Sequence, residues 1–208
     1  WTNESEWSAA KWIGIEADVK PRVDLPDDSG EVRPTIDAGK LVTPPNRWYA
    51  YRRDWELDTV PEHVPARVAA ESKYWLWING TLAVVEGGLK RGPAPDQTYF
   101  DEIDLAPWLT EGTNAIAILL WHFGKQGFSH LNRGRAGLLL HATAGDAALA
   151  TDSSWKVAIH PAFSTSEKFV PNFRLPESSI RFDAQTDMPG WPTRAPEGGP
   201  WQAADELC

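Results

Sequence analysis

The residues best suited to hold a ligand cluster between Trp121 and Arg135. That stretch carries Trp121, His122, Gln126, His130, Asn132, Arg133 and Arg135, together with three glycines. A sugar site needs an aromatic face for the C–H side of the ring and planar polar groups that bond vicinal hydroxyls. The stretch supplies both, directly after an apolar run that reads as a buried strand, and function concentrates on loops held by a rigid scaffold. The competing reading is a solvated loop, or one packed on a neighbouring domain. A second set lies between Lys90 and Tyr99, where Arg91, Asp96, Gln97 and Tyr99 could frame a pair of hydroxyls. There the simpler reading is a connection stiffened by Pro93 and Pro95, with Arg91 in a structural ion pair.

Other chemistries find less support. Asp24, Asp27 and Asp28 crowd together beside Pro and Gly. They are the one place where calcium, which takes six to eight oxygen ligands, has a foothold; a solvated acidic loop is the plainer reading. No Cys/His spacing suggests zinc. Of the histidines His63, His122, His130, His141 and His160, only His122 and His130 share a loop. No Gly-x-Ser-x-Gly elbow is present. Asp101 and Glu102 are adjacent on an extended segment and so point to opposite faces. With Asp104 they read as edge or capping carboxylates. Asn79 is explained by a turn rather than as a glycosylation acceptor.

The 208 residues permit one large all-β domain, or one domain with a fragment of a second. A formal net charge of −9 argues against nucleic acid and anionic membrane surfaces as partners. The single cysteine, Cys208, excludes an intramolecular disulfide, so packing alone must hold the fold. The longest apolar run, Ala115 to Phe123, is too short to span a bilayer. There is no signal-peptide pattern and no initiator Met, which points to a processed or excised N-terminus and leaves a cytoplasmic or secreted location open. Twelve Trp stand against one Met. Most of them are expected as core anchors, since burial is the usual fate of large aromatics.

Short alternating runs dominate. Strands are expected at Lys11–Ile15, Trp48–Asp58, Arg67–Ile78, Thr81–Glu86, Thr98–Ile103, Asn114–Phe123, Gly137–Thr143, Ala147–Ala150 and Trp155–Ile159. In the second of these, Tyr49, Tyr51, Trp55 and Leu57 share a buried face, leaving Ala50, Arg52, Asp54 and Glu56 on a wet one. Asn79-Gly80 marks a hairpin, because both central residues of the favoured turn need positive φ. The strand before it is apolar on both faces, so both should be covered. Asp104 to Leu109 reads as one helical turn with Asp104 as its cap and Gly112 beyond its end. The strand Asn114–Phe123 is the most apolar and should be central. This pattern predicts an all-β jelly-roll sandwich over residues 1–160, with a long loop at 16–45. Residues 161–208 are expected as an irregular extension with one strand near Ser179–Ala184, leading toward a missing or adjacent domain.

Several segments resemble the N-terminal β-domains of bacterial α-L-rhamnosidases. Ala10-Lys11-Trp12-Ile13-Gly14 is similar to that family's first strand, and Tyr74-Trp75-Leu76-Trp77-Ile78-Asn79-Gly80 to its strand ending in an Asn-Gly turn. Arg91-Gly92-Pro93 followed by Tyr99-Phe100-Asp101-Glu102-Ile103-Asp104 resembles another segment, as does Glu111-Gly112-Thr113-Asn114-Ala115-Ile116-Ala117. Phe182-Asp183-Ala184, Pro189-Gly190-Trp191 and Trp201 complete the ordered series. The resemblance runs from about residue 10 to the end. It implies a galactose-binding-like sandwich whose parent enzyme keeps its two catalytic carboxylates in a downstream (α/α) barrel; no residue here matches those catalytic motifs. The chain would bind or orient rhamnose-containing glycans. Alternatively it would act as a purely structural domain packed on the enzyme's own catalytic domain. No catalytic residue, metal ligand or cofactor is assigned. The chain stops soon after Pro189-Gly190-Trp191, as a shortened piece or a stand-alone relative would.

Overall fold

A computed structural model describes residues 7, 9–18, 20–21, 41–88, 99–124, 134–165, 177–194 and 198–207. The most apolar segment forms an 11-residue strand, Gly112–His122, lying between two neighbours of one sheet. In chain order the strands are β1 (Ile13–Gly14), β2 (Lys20–Pro21), β3 (Leu41–Val42), β4 (Arg47–Leu57), β5 (Pro65–Ala70), β6 (Lys73–Ile78), β7 (Thr81–Gly88) and β8 (Asp101–Asp104). They continue with β9 (Gly112–His122), β10 (Leu138–Ala144), β11 (Ala147–Ala150), β12 (Lys156–Ile159), β13 (Phe163–Thr165), β14 (Ile180–Phe182), β15 (Gln202–Ala203) and β16 (Asp205–Glu206). The first sheet runs β16-β1-β10-β5-β8, with β11 also on β10; the second runs β15-β12-β4-β9-β6-β7. Pairings are antiparallel in both sheets. The all-β sandwich expected from the alternating runs is the fold that forms.

Alternation puts one face of each sheet into a shared core. Tyr49, Tyr51, Trp55 and Leu57 of β4 point there, beside Ile116, Ile118 and Leu120 of β9. Val68, Leu138 and Leu140 meet them from the first sheet. The opposite face of β4 is exposed as expected at Asp54 and Glu56 but covered at Ala50 and Arg52. Ala50 is fully buried and Arg52 is 5% exposed, its guanidinium 2.9 Å from Asp54. The cover comes from far along the chain: Phe163, Met188, Trp191 and Trp201 pack over Trp48, Ala50, Trp75, Trp77, Ala117 and Trp121. The greasy outer face of the Trp75/Trp77 strand, expected to be covered, is thus covered by the chain's own C-terminal residues. These residues are also part of the sandwich, because β15 pairs with β12 and β16 with β1.

The single strand expected at Arg67–Ile78 is two strands in different sheets, β5 and β6, joined by Glu71 and Ser72. The polar run Glu71-Ser72-Lys73 marks the crossing in the sequence, and all three residues are buried. The hairpin forms where expected: Asn79 (φ 52°) and Gly80 (φ 80°) link β6 to β7, with Ile78 opposite Thr81. Gly80 holds a φ that side chains rarely adopt, and a Cβ there would lie 2.3 Å from Thr193 Cγ2, so a substitution would strain the turn and force Thr193 to shift. A short 3-10 turn spans Ala106–Trp108, and the Asp104 carboxylate accepts the N–H groups of Ala106 (3.1 Å) and Val64 (2.9 Å).

The motif residues interlock. Asn79 Nδ2 donates to Asn114 Oδ1 (2.9 Å) and Trp108 O (3.0 Å), while Asn79 Oδ1 accepts Ala115 N–H (2.9 Å). Asn114, fully buried, also accepts Thr110 N–H (2.8 Å) and donates to the carbonyls of Thr110 (2.7 Å) and Gly112 (3.0 Å). Trp191 stands edge-on to Trp77, 5.7 Å away. The asparagine turn, the Gly112-Thr113-Asn114 entry and the Pro189-Gly190-Trp191 segment are therefore architectural.

Candidate functional site

Register places the sequence-derived candidates on segments anchored at one end of the sandwich. Arg47 opens β4 opposite His122, which closes β9. Lys73 opens β6 between Trp121 and Gly88, the last residue of β7. From this end leave the connections that precede β4, join β7 to β8 and join β9 to β10. Backbone and side-chain bonds draw their feet together. Asn46 N–H reaches Phe123 O (3.2 Å) and Thr43 N–H reaches Gly134 O (2.7 Å), so both ends of the Phe123–Gly134 connection rest on one short segment. Gly124 lies so close to this segment that a Cβ would fall 2.4 Å from Pro45 Cα. Asp101 accepts Gly88 N–H (2.8 Å) and the Tyr74 hydroxyl (2.9 Å), closing the other connection.

Polar groups are buried at this end. Asp18, 7% exposed, accepts the Tyr49 hydroxyl at 2.5 Å and lies 3.5 Å from Arg47 Nε. Burial, and then the Asp18 carboxylate, push the Tyr49 phenol well above its ordinary range, so it is a permanent donor. Lys73, 4% exposed, sits between Glu177 (2.7 Å) and Glu86 (3.3 Å).

Of the candidate residues, His130, Asn132, Arg133, Arg91 and Asp96 lie outside the described residues, as do Gln126, Gln97 and the calcium candidates Asp24, Asp27 and Asp28. Trp121 and His122 require a correction. β9 continues through His122, so the two side chains point to opposite faces and both are covered. Trp121 is 2% exposed; its ring stacks on Trp48 at 5.0 Å and meets Phe123 at 4.6 Å. A sugar platform needs an open ring face, which this tryptophan lacks. His122 is fully buried, with Nδ1 3.4 Å from Glu71 O. Arg135 pairs with Glu16 near the surface, and Tyr99 is 51% exposed. These two are the described candidates that a ligand can reach.

A concavity lies apart from these connections. On the outer face of the first sheet an open hollow of about 610 Å³ is lined by His63, Arg67, Glu102, Asp104, His141 and Thr143, among others. Arg67 Nε is 3.3 Å from Glu102 Oε1, and the guanidinium lies over the Phe100 ring, 5.2 Å from its centroid. His63 Nδ1 is 2.7 Å from Asp104 Oδ2. The His63 bond, with the N–H groups of Val64 and Ala106, holds the Asp104 carboxyl down to about 2. Burial and the Arg67 charge lower His141. The residues are dispersed along the chain, and only the strand register gathers them. The available signal was the period-two recurrence of polar residues at 102 and 104, and at 141 and 143. Among the described residues no three His, Cys, Asp or Glu side chains are placed to hold a metal ion. No helix among them is long and apolar enough to cross a membrane.

No model of a known protein family matches the sequence, and no curated protein matches it. Solved structures do. A GH78 family rhamnosidase of Bacillus sp. GL1 superposes with a TM-score of 0.73 at 25% identity, covering 96% of this chain and 18% of that one. The α-L-rhamnosidase of Aspergillus terreus gives 0.64 at 19% identity, covering 100% of this chain and 22% of that one. That of Dictyoglumus thermophilum gives 0.62 at 19%, covering 99% and 21%. The chain thus spans about a fifth of the length of the rhamnosidases it matches, and it is similar over nearly its whole length to a β-sandwich domain of GH78 α-L-rhamnosidases.

Proposed function

We propose that the chain is a non-catalytic, carbohydrate-associated β-sandwich of an α-L-rhamnosidase-like glycoside hydrolase, in which it binds or orients rhamnose-containing glycans. The observation that carries this reading is the superposition on the Bacillus sp. GL1 rhamnosidase along 96% of the chain. Catalysis belongs elsewhere in such a protein, since an inverting glycosidase needs an acid and a base flanking the scissile bond. Sugar contact falls to the connections at the loop end, with Arg135, Tyr99, His130, Asn132, Arg133, Arg91 and Asp96 as its polar partners. A second reading, a structural domain that packs on the parent's catalytic domain, is favoured by the burial of Trp121 and by exposed Leu82 and Val85 on edge strand β7.

The test is affinity electrophoresis through gels cast with a rhamnose-containing polysaccharide, alongside turnover of a chromogenic rhamnoside. Retardation without turnover is expected. Unretarded migration favours the structural reading, and turnover contradicts the assignment of catalysis elsewhere.

A further inference from the structure

The pairing of β5 with β10 and β8 sets His141, Arg67 and Glu102 side by side across three strands. Pro65 and Asp104 are paired in the next outward row, with Thr143 on β10 beside them. At a strand spacing of about 4.8 Å, each row spans about 10 Å, the scale of one pyranose with its substituents. The preceding row, Ala69 and Leu139, is covered by Trp7, which stands edge-on to Phe100 at 5.6 Å. The hollow begins where this aromatic cover stops, and the His63–Asp104 pair stands at its far side.

The lining is already oriented. Arg67 is pinned between Glu102 and the Phe100 face, and Asp104 is fixed by Val64, Ala106 and His63. Glu102 is 69% exposed and meets Arg67 through Oε1, which leaves Oε2 for a ligand hydroxyl. His141 has no hydrogen-bond partner among the described residues; in its neutral form one ring nitrogen donates and the other accepts. A carboxylate, an imidazole, a hydroxyl and a guanidinium in one row and its neighbour match the alternating donors and acceptors of vicinal hydroxyls. A ligand anion would face Glu102 and Asp104, and a cation would face Arg67. From this geometry we infer that the hollow is a second site, separate from the loop end, which takes the hydroxyl edge of a neutral sugar ring. The inference rests on the reading of the chain as a sugar-associated domain. The Phe100 ring already carries Arg67, so recognition runs through hydroxyls without ring stacking. Binding is accordingly weak and in fast exchange.

The test is an NMR titration of the isotopically labelled intact chain with L-rhamnose. Saturable shifts are expected at the His141 imidazole and the amides of Arg67, Glu102 and Thr143. Glu102→Gln and, separately, His141→Ala should each weaken the apparent affinity read from these signals at least fivefold, with the titration of Tyr99 and Arg135 unchanged. The dispersion of each variant's spectrum reports that it is folded. Shifts confined to the loop end overturn the second site and leave the proposed function standing. Hollow shifts that both variants leave unaltered also overturn it. A spectrum that L-rhamnose does not change anywhere overturns both readings.

Discussion

Replacing Asn114 by Ala probes the joint that ties the two motif turns together. Its side chain makes four bonds of 3.0 Å or shorter, two to Thr110 and one each to Gly112 O and Asn79 Nδ2. At about 1 kcal/mol net apiece, their loss costs about 4 kcal/mol. Thr110 and Asn79 are exposed, so water recovers part of this, and we expect about 3 kcal/mol in urea unfolding. For a chain of this size that corresponds to a fall in Tm of about 6–12 °C. Asn114→Asp should be no milder, because it sets a carboxylate against the carbonyls of Thr110 and Gly112 in place of an amide donor. A double-mutant cycle with Asn79→Ala should show coupling of about 1 kcal/mol. A loss below about 1 kcal/mol for Asn114→Ala, or strict additivity with Asn79→Ala, would refute the joint.

Three further outcomes follow from the covered outer face of the second sheet. Lys73→Met strands Glu177 and Glu86, of which Glu86 is largely in water. We expect a loss of about 2 kcal/mol and faster limited proteolysis after residue 165; unchanged proteolysis would mean that Lys73 does not hold the C-terminal segment. Trp191→Ala removes the ring that meets Trp77, His160 and Trp201 and should cost about 3 kcal/mol; a cost under about 1 kcal/mol would show the cover to be loose. His160 is 2% exposed, and burial lowers its pKa despite the Asp187 carboxylate 3.5 Å away. Above the unfolded value of about 6.5 neither state is protonated; as pH falls below it, the unfolded chain takes the proton first, so stability drops. Urea midpoints at pH 7.5 and 5.5 should therefore differ, and His160→Gln should narrow the difference without abolishing it, since His141 is lowered too. An unchanged difference would remove His160 from the account.

The strands that alternate cleanly were readable because their period reports a physical boundary. The Tyr49, Tyr51, Trp55 and Leu57 face, the central position of β9 and the Asn79-Gly80 hairpin all appeared as expected. What a local pattern cannot carry is who covers whom. Ala50 read as wet because its cover, Phe163, Met188, Trp191 and Trp201, lies more than a hundred residues away. Trp121 read as a platform for the same reason: its neighbour in space is Trp48, reached only through the β4–β9 register. The crossing at Glu71–Ser72 is marked only by the polar run Glu71-Ser72-Lys73, which carries no Gly or Pro turn signal between the two apolar strands. The hollow has no local signature because His63, Arg67, Glu102, Asp104 and His141 belong to three separate stretches, and only β5, β8 and β10 bring them together.

The most direct measurement is an isothermal titration of the intact chain with L-rhamnose, with and without calcium, while a rhamnoside reporter is followed in the same preparation. The account predicts saturable heat and no turnover. Absence of binding heat under both conditions would contradict the sugar-associated role and leave a structural domain, and turnover would contradict the placement of catalysis outside this chain.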